Sequence, residues 1–329
     1  MKKISLLIPV YNEEESVDAL YAALLPLLDN THPGLKGAQY DWEVILVDDG
    51  SKDRSYDKLR ELNGHDRRFR YVRLSRNFGK ENALLAGFDR MTGDAMVIMD
   101  ADLQHPVDTI PEMIEQWNKG YEDVYGRRLS RGKESLFRKL FTKAYYGLLN
   151  KSTRVDVLPN VGDFRLLDRK VVEAIRGLRE SQRYTKGLYC WVGFKKTGVD
   201  FQTADRMAGE THMSAGRLIN LALEGITSYT TAPLRVATVL GFIISILSIC
   251  YMIYIVCKTI IYGEPIQGFP TIICTILFLG GCQLIALGII GEYIGKIYNE
   301  SKCRPPYIVA EESAPADVVK IKQENTRPL

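Results

Sequence analysis

The chain has 329 residues, and its 43 basic and 40 acidic side chains give a net charge of +3. A chain of this length holds one or two domains with an ample core, and so balanced a charge does not indicate a nucleic-acid partner. The six cysteines include no Cys-x-x-Cys pair and no zinc-type Cys/His spacing, which argues against a disulfide framework and fits a reducing compartment. The N-terminus enters a strand-like run directly, so we expect no cleavable signal peptide.

The N-terminal part of the chain alternates strand-like and helix-like patterns. Short apolar runs bounded by turn residues predict strands at Ile4–Val10, Glu43–Val47, Arg70–Leu74 and Ala95–Met99. Amphipathic stretches predict helices at Glu13–Leu28, Ser55–Asn63, Glu81–Met91 and Val107–Lys119. Repeated βα units of this length predict an α/β fold with a mainly parallel, doubly wound sheet.

Polar side chains follow each of the four predicted strands, where open α/β sheets bind ligands. The segments are Pro9-Val10-Tyr11-Asn12-Glu13, Asp48-Asp49-Gly50-Ser51, Arg76-Asn77-Phe78-Gly79-Lys80 and Asp100-Ala101-Asp102-Leu103-Gln104-His105. In the first segment the tyrosine ring can stack on a nucleoside base, and a carboxylate can accept hydrogen bonds from ribose or base. The same segment also makes an ordinary helix start.

Two carboxylates one residue apart, Asp100 and Asp102, come just after the fourth predicted strand. Hard oxygen ligands of this kind suit Mg²⁺ or Mn²⁺ held jointly by the protein and a diphosphate. The alternative is that both residues only cap a turn and the next helix. The polar ends of the three other strands favour the metal-site interpretation.

Positions 127 to 139 carry six basic residues and one acid, Glu134. Such a run is either a solvated face or a site for an anionic phosphate, for which arginine offers bidentate donors. Asp163 is a lone acid in an apolar context, and Arg206 is a candidate partner for a diphosphate.

Two uncharged 22-residue runs, Val236–Cys257 and Pro270–Gly291, are each long enough to span a hydrocarbon core of about 30 Å. The alternative is a pair of buried core helices. Basic residues flank the outer ends, whereas Lys258 is the sole cation of the connecting loop, so the positive-inside rule places both termini in the cytoplasm. The runs contain no ionisable side chain that would indicate a transport pathway.

An amphipathic stretch between Met213 and Tyr229 suits a helix at the membrane surface, or equally an ordinary packing helix. The polar tail from about Glu311 to Leu329 is expected to be disordered. The predicted organisation is therefore an α/β domain (1–210), a juxtamembrane amphipathic region (211–235), a two-helix transmembrane domain (236–291) and a cytoplasmic tail (292–329).

Taken together, these motifs resemble the inverting GT-A glycosyltransferases of the polyprenyl-phosphate type, the group of dolichol-phosphate mannose synthase and GtrB. The resemblance runs from Ile4 to about Ser214 and includes Gly-Asp-Phe-Arg-Leu from Gly162 and Arg-x-Ala-Gly-Glu from Arg206. The paired spans are similar to those of GtrB. The Gln-x-x-Arg-Trp motif expected of processive synthases is absent.

The resemblance implies a Rossmann-like GT-A nucleotide-sugar domain on a multi-pass inner-membrane protein. The implied reaction transfers one hexose, foremost glucose from UDP-glucose, to undecaprenyl or another polyprenyl phosphate at the cytoplasmic face, with inversion. The alternatives are another donor (UDP-GlcNAc, UDP-galactose or GDP-mannose), or a membrane-anchored nucleotide-sugar binding protein without turnover. A homo-oligomer, such as a tetramer, is also implied.

The resemblance further assigns roles to site residues. The nucleotide sugar would be held by Pro9, Tyr11, Glu13, Asp49, Lys80 and Asp100. A Mg²⁺ or Mn²⁺ ion would be held by Asp100, Asp102 and Gln104. The acceptor phosphate would be held by Arg127, Ser135 and Arg138. The catalytic residues would be Asp102, Arg206 at the diphosphate, and Asp163, which either removes a proton from the acceptor or positions it.

Overall fold

The computed structural model describes residues 1–129, 161–180, 183–202 and 268–314, together with separate positions between 234 and 261. The chain divides into two compact units, one that contains the sheet and one that contains a long apolar helix.

Within the described ranges the strands are β1 (Lys3–Val10), β2 (Asp41–Asp48), β3 (Phe69–Leu74), β4 (Ala95–Ile98), β5 (Asp123–Arg128), β6 (Val161–Asp168), β7 (Lys196–Phe201) and β8 (Val309–Glu312). The helices are α1 (Val17–Leu28), α2 (Ser55–His65), α3 (Lys80–Phe88), α4 (Ile110–Asn118), α5 (Arg169–Gly177), α6 (Thr185–Trp191) and α7 (Phe269–Ser301). The strands form one sheet in the order β7-β5-β6-β4-β1-β2-β3-β8.

The centre of this sheet is parallel, as the repeated βα units predict. Strands β3, β2, β1 and β4 pair in parallel, with Val10 opposite Asp48 and Ile4 opposite Ala95. The outer part is mixed, because β6 runs antiparallel to both β4 and β5, and β8 runs antiparallel to β3. Parallel sheets with antiparallel strands at their edges are common among doubly wound folds.

Apolar layers cover both faces of the sheet. Leu6 and Leu7, neighbours on β1, are fully buried in two different clusters, because successive side chains of a strand point to opposite faces. Leu24 of α1 packs in the first cluster, and Leu84 of α3 packs in the second. Helices on both faces leave the carboxyl ends of the parallel strands as the open edge.

The four predicted βα units are confirmed, with shifted bounds. Helix α1 begins at Val17 rather than at Glu13, because Glu13 lies in a turn and its carboxylate accepts a hydrogen bond from the Ser16 hydroxyl at 2.9 Å. The helix predicted to begin at Val107 starts with a 3₁₀ turn, Val107–Thr109, and continues as α4.

The predicted disorder of the tail is wrong at its first residues, which form the end of β8. The Glu311 carboxylate accepts hydrogen bonds from the hydroxyls of Tyr56 at 2.6 Å and Tyr71 at 2.8 Å. Glu312 lies opposite Val72 in the ladder and accepts a hydrogen bond from Arg90 Nε at 2.5 Å. A polar segment forms a strand here because its carboxylates meet fixed donors far away in the sequence.

In the second unit, the segment Phe278–Ser301 of α7 is long and apolar enough to cross a membrane, judged by length and composition. It overlaps the predicted second span, Pro270–Gly291. The described positions between Leu234 and Ile261 are helical, but most of the predicted first span lies outside the described residues. The amphipathic stretch between Met213 and Tyr229 lies outside them entirely.

Candidate active site

A pocket lies at the open edge, where β1, β2 and β4 end. Its lining residues are Pro9, Val10, Tyr11, Glu13, Asp49, Asn77, Gly79, Lys80, Ala83, Asp100, Ala101 and Asp102. The structure therefore brings together all six residues predicted for the nucleotide sugar and two of the three predicted for the metal. The third predicted metal ligand is Gln104, and its backbone N–H donates a hydrogen bond to Asp102 Oδ1 at 3.1 Å.

One buried carboxylate, Asp49, organises the part of the pocket that is predicted to hold the nucleotide (the nucleotide side). Its oxygens accept backbone hydrogen bonds from Phe78 at 2.7 Å and from Gly79 at 2.9 Å, which ties the loop after β3 to the end of β2. Burial raises the pKa of Asp49, and the two N–H groups act in the opposite direction. The loops meet so closely that a Cβ on Gly50, whose φ is +69°, would lie 2.4 Å from the Arg76 carbonyl carbon.

The loop after β1 is joined to the start of α2. The Asn12 N–H donates to Ser51 Oγ at 3.0 Å, and the Glu13 N–H donates to Ser55 Oγ at 2.8 Å. Tyr11 remains exposed at the pocket, so its ring is available to stack on a base. The alternative interpretation of this segment as a helix start is also partly realised, because Glu13 bonds to Ser16 in the turn before α1.

The segment after β4 that carries Asp100 and Asp102 forms a tight turn, and the His105 side chain stabilises this turn. The Asp100 N–H donates to His105 Nδ1 at 3.1 Å, and Leu103 adopts the left-handed conformation with φ +56°. The His105 ring is buried and stacks on Phe164 at 4.7 Å between centroids. Burial lowers the pKa of His105, so the neutral ring can accept the hydrogen bond that fixes Asp100.

Lys80, the first residue of α3, joins two strands of the site. Its Nζ lies 2.6 Å from Asp100 Oδ1, after β4, and 3.1 Å from Asp163 Oδ2, on β6. Burial alone would raise the pKa of Asp163, but the ammonium of Lys80, followed by that of Lys186, holds this pKa below its usual value. Asp163 is therefore an ionised carboxylate, and its other oxygen is buried without a hydrogen-bond partner among the described residues.

A buried ion pair behind Asp163 was not predicted from the sequence. Arg165 Nη1 lies 3.0 Å from Asp123 Oδ2, both side chains are almost fully buried, and the guanidinium stacks over Tyr189 at 3.7 Å. The available signal was Arg165 itself, two residues after Asp163 in an apolar strand. A buried charge of this kind requires a partner.

Asn77 and Gly79 also line the pocket but were not assigned a role from the sequence. Gly79 lies between the polar segment that follows β3 and the first residue of α3. Its φ of +91° lets the chain turn from one to the other.

The predicted acceptor-phosphate residues are not seen together. Arg127 lies at the end of β5, outside the pocket lining, and forms a bidentate ion pair with Asp200 of β7 at 2.5 and 2.9 Å. Ser135, Arg138 and Arg206 lie outside the described residues.

The donor set fits a divalent cation that is shared with a diphosphate. Among the described residues there is no group of three or more His, Cys, Asp or Glu side chains that could hold a metal ion by itself. Asp100 and Asp102 offer two hard carboxylate ligands at the pocket. Mg²⁺ is ordinarily bound by one or two carboxylates together with substrate phosphates, so two are sufficient.

Comparisons with known proteins place this geometry in context. Residues 5–176 match glycosyl transferase family 2, and residues 232–297 match the GtrB C-terminal hairpin. The chain is 41% identical over 310 residues to the bactoprenol glucosyl transferase of Shigella phage SfV, covering 94% of this chain and 99% of that one. It is 43% identical over 309 residues to an uncharacterized glycosyltransferase of Synechocystis sp., covering 94% and 95%. The solved structure of glucosyl-3-phosphoglycerate synthase from Mycobacterium tuberculosis with Mn²⁺, UDP and glucosyl-3-phosphoglycerate is similar with a TM-score of 0.43 at 20% identity, covering 68% and 76%.

Proposed function

This chain belongs to glycosyl transferase family 2, and we propose that it transfers one glucose from UDP-glucose to undecaprenyl or another polyprenyl phosphate, with inversion, at the cytoplasmic face of the membrane. The observation that carries this proposal is that Tyr11, Asp49, Asp100 and Asp102 line one and the same pocket. The choice of sugar and acceptor is supported by the nearly full-length similarity to a bactoprenol glucosyl transferase.

On the donor side, Tyr11 would stack on the uracil ring and Asp49 would hold the base or the ribose. Each Asp49 oxygen accepts one backbone N–H, so each keeps a lone pair for a donor group of the nucleotide. A Mg²⁺ or Mn²⁺ ion, when bound at Asp100 and Asp102 with the diphosphate, would neutralise charge on the leaving group. In this proposal Gln104 is the third ligand, and Arg206 contacts the diphosphate.

On the acceptor side, no strong protein base is required. A phosphate monoester has a second pKa of about 6, so the polyprenyl phosphate is already an anionic nucleophile near neutral pH. Because Lys80 lowers the pKa of Asp163, this carboxylate is a weak base. We therefore assign Asp163 to positioning, and Arg127, Ser135 and Arg138 to holding the acceptor phosphate.

The position of β8 supports a chain that crosses the membrane an even number of times. Phe201 ends β7 and Val309 begins β8, and both strands belong to one sheet. The chain between them must therefore begin and end on the same side of any membrane that it crosses. Two spans, 236–257 and 270–291, would meet this requirement. The basic residues that flank their outer ends support a cytoplasmic location for both termini and the catalytic domain. Assembly as a homo-oligomer, such as a tetramer, remains a prediction.

The test is sugar transfer by the full chain reconstituted in lipid, with labelled UDP- and GDP-sugars, with and without undecaprenyl phosphate, in Mg²⁺, Mn²⁺ or EDTA. We expect a β-linked glucosyl lipid that forms only with both acceptor and metal. Asp100→Asn should abolish it, whereas Asp18→Asn, at an exposed carboxylate paired with Lys58, should not. A product that keeps the α configuration would refute inversion. Metal-dependent UDP binding without product from any donor would favour a non-catalytic binding protein.

A further inference from the structure

The Asp100 oxygen that a divalent ion would bind already forms a salt bridge with the protein's own Lys80. Lys80 Nζ lies 2.6 Å from Asp100 Oδ1, within the range of a strong charge-assisted hydrogen bond. The Lys80 and Asp100 side chains are 42% and 32% exposed, so a divalent ion can reach them from solvent. Such an ion meets an ammonium already placed on its ligand, and like charges at this distance repel strongly.

Lys80 also has a second partner within reach. Asp163 Oδ2 lies 3.1 Å from the same Nζ, and its side chain is only 8% exposed. When Asp100 turns to a metal ion, the ammonium can keep this second carboxylate and stay neutralised. Asp163 thus makes the release of Asp100 by Lys80 less costly than it would be for a lysine with one partner.

The loop that carries Lys80 is attached to the nucleotide side of the pocket. Gly79 turns the chain into α3 with φ +91°, and its N–H donates to Asp49 Oδ2 at 2.9 Å. Lys80 follows directly as the first helical residue. A nucleotide that engages Asp49 therefore acts on the same short segment that holds the ammonium on Asp100.

We propose that Lys80 makes the binding of the divalent cation depend on the donor nucleotide, by occupying Asp100 until a diphosphate arrives with the ion. The proposal rests on the proposed function, because it takes Asp100 and Asp102 as metal ligands. The negative charge of the diphosphate offsets the repulsion between Lys80 and the ion, so metal and nucleotide bind with positive coupling, and each must raise the affinity of the other by the same factor.

The test is Mn²⁺ binding to the full chain in nanodiscs, measured by the electron paramagnetic resonance signal of free Mn²⁺, with and without UDP. Lys80→Met should bind Mn²⁺ at least about tenfold more tightly than the wild type without UDP, and the gain on adding UDP should shrink, in line with common coupling strengths. Lys80→Gln, which retains a neutral donor, should change in the same direction and serves if Lys80→Met does not fold.

A second variant should change in the opposite direction. Asp163→Asn leaves Lys80 with Asp100 as its charged partner, so Mn²⁺ should bind more weakly than to the wild type. The matched control is Lys58→Met, which removes a lysine paired with Asp18 at 2.5 Å outside the pocket lining and should leave Mn²⁺ affinity unchanged.

The outcomes separate this inference from the proposed function. If the wild type and both Lys80 variants bind Mn²⁺ equally well, and UDP raises that affinity equally, the role of Lys80 is refuted and the metal site stands. If none of these proteins binds Mn²⁺ even with UDP, the metal site of the proposed function is refuted as well.

Discussion

Asp49→Asn tests how far the nucleotide side of the pocket depends on one buried carboxylate. Asp49 accepts N–H groups from Phe78 and Gly79, one on each oxygen. Asparagine keeps one acceptor oxygen but turns an NH₂ group toward the other N–H, so one buried donor loses its partner. Such a loss costs about 1–3 kcal/mol. If the loop must keep this position for UDP to bind, the affinity for UDP falls by about 5- to 150-fold.

The neighbouring aspartate supplies a matched control. Asp48 is fully buried, accepts the Ser51 N–H at 3.0 Å and faces Arg73 Nε at 3.6 Å, but it does not line the pocket. We expect Asp48→Asn to lower the thermal stability about as much as Asp49→Asn does, while the affinity for UDP changes by less than about twofold. Isothermal titration with UDP and thermal unfolding of the same preparations measure both quantities.

Two results would refute this reasoning. An equal loss of UDP affinity in both variants would mean that any loosening of the sheet edge weakens binding, and that Asp49 has no special place. Unchanged UDP affinity in Asp49→Asn would mean that neither the carboxylate nor the loop it holds contributes to nucleotide binding.

Three other contacts among the described residues can be tested by substitution. Because Lys80 lowers the pKa of Asp163, the stability that this ion pair contributes is present above pH 3.8 and is lost as the pH falls through the lower folded-state pKa. Thermal unfolding should therefore separate wild type from Asp163→Asn at neutral pH, and the gap should close in acid. Arg165→Met should lower the free energy of unfolding by about 3–5 kcal/mol by leaving Asp123 buried and unpaired, and adding Asp123→Leu should recover part of the loss in chemical denaturation. Glu311→Ala should speed hydrogen exchange in β3, and unchanged exchange would mean that β8 is held by its ladder alone.

Local pattern was sufficient to predict the parallel centre of the sheet. β1, β2 and β4 are continuous apolar runs that end at turn residues. In the structure these strands are buried on both faces of the sheet, as such runs predict. The bounds were less accurate where a side chain competes with the backbone. Glu13 bonds to Ser16 in a turn, so the helix starts four residues later than hydrophobic spacing predicts.

The outer strands could not be predicted in the same way, because they depend on contacts between distant parts of the chain. The polar stretch that begins at Glu311 does not favour a strand by itself. It becomes one because Tyr56 and Tyr71 present two hydroxyls to one carboxylate, across more than 200 residues of sequence. Such a strand can be predicted only when its pairing with β3 is already known.

The residues of the candidate site could be predicted from the sequence, but the ion pairs between them could not. Strand ends in a parallel sheet converge, so Tyr11, Asp49 and Asp100 could be expected at one edge. That Lys80 would bridge Asp100 and Asp163 could not, because β6 reaches the site from the opposite direction after a long excursion of the chain. The arrangement of charges in the pocket therefore depends on the tertiary structure and cannot be inferred from local sequence.

That arrangement bears directly on how a nucleotide diphosphate can bind. Among the described lining residues, the acids are Glu13, Asp49, Asp100 and Asp102, and the sole cation is Lys80, whose charge is already shared with Asp100. An anionic diphosphate would be repelled from such a pocket unless positive charge came with it. A divalent ion on Asp100 and Asp102, as we propose, would supply that charge beside the diphosphate. Under the proposed function, this excess of carboxylates makes nucleotide binding depend on the metal. UDP affinity that persisted in EDTA would contradict this account.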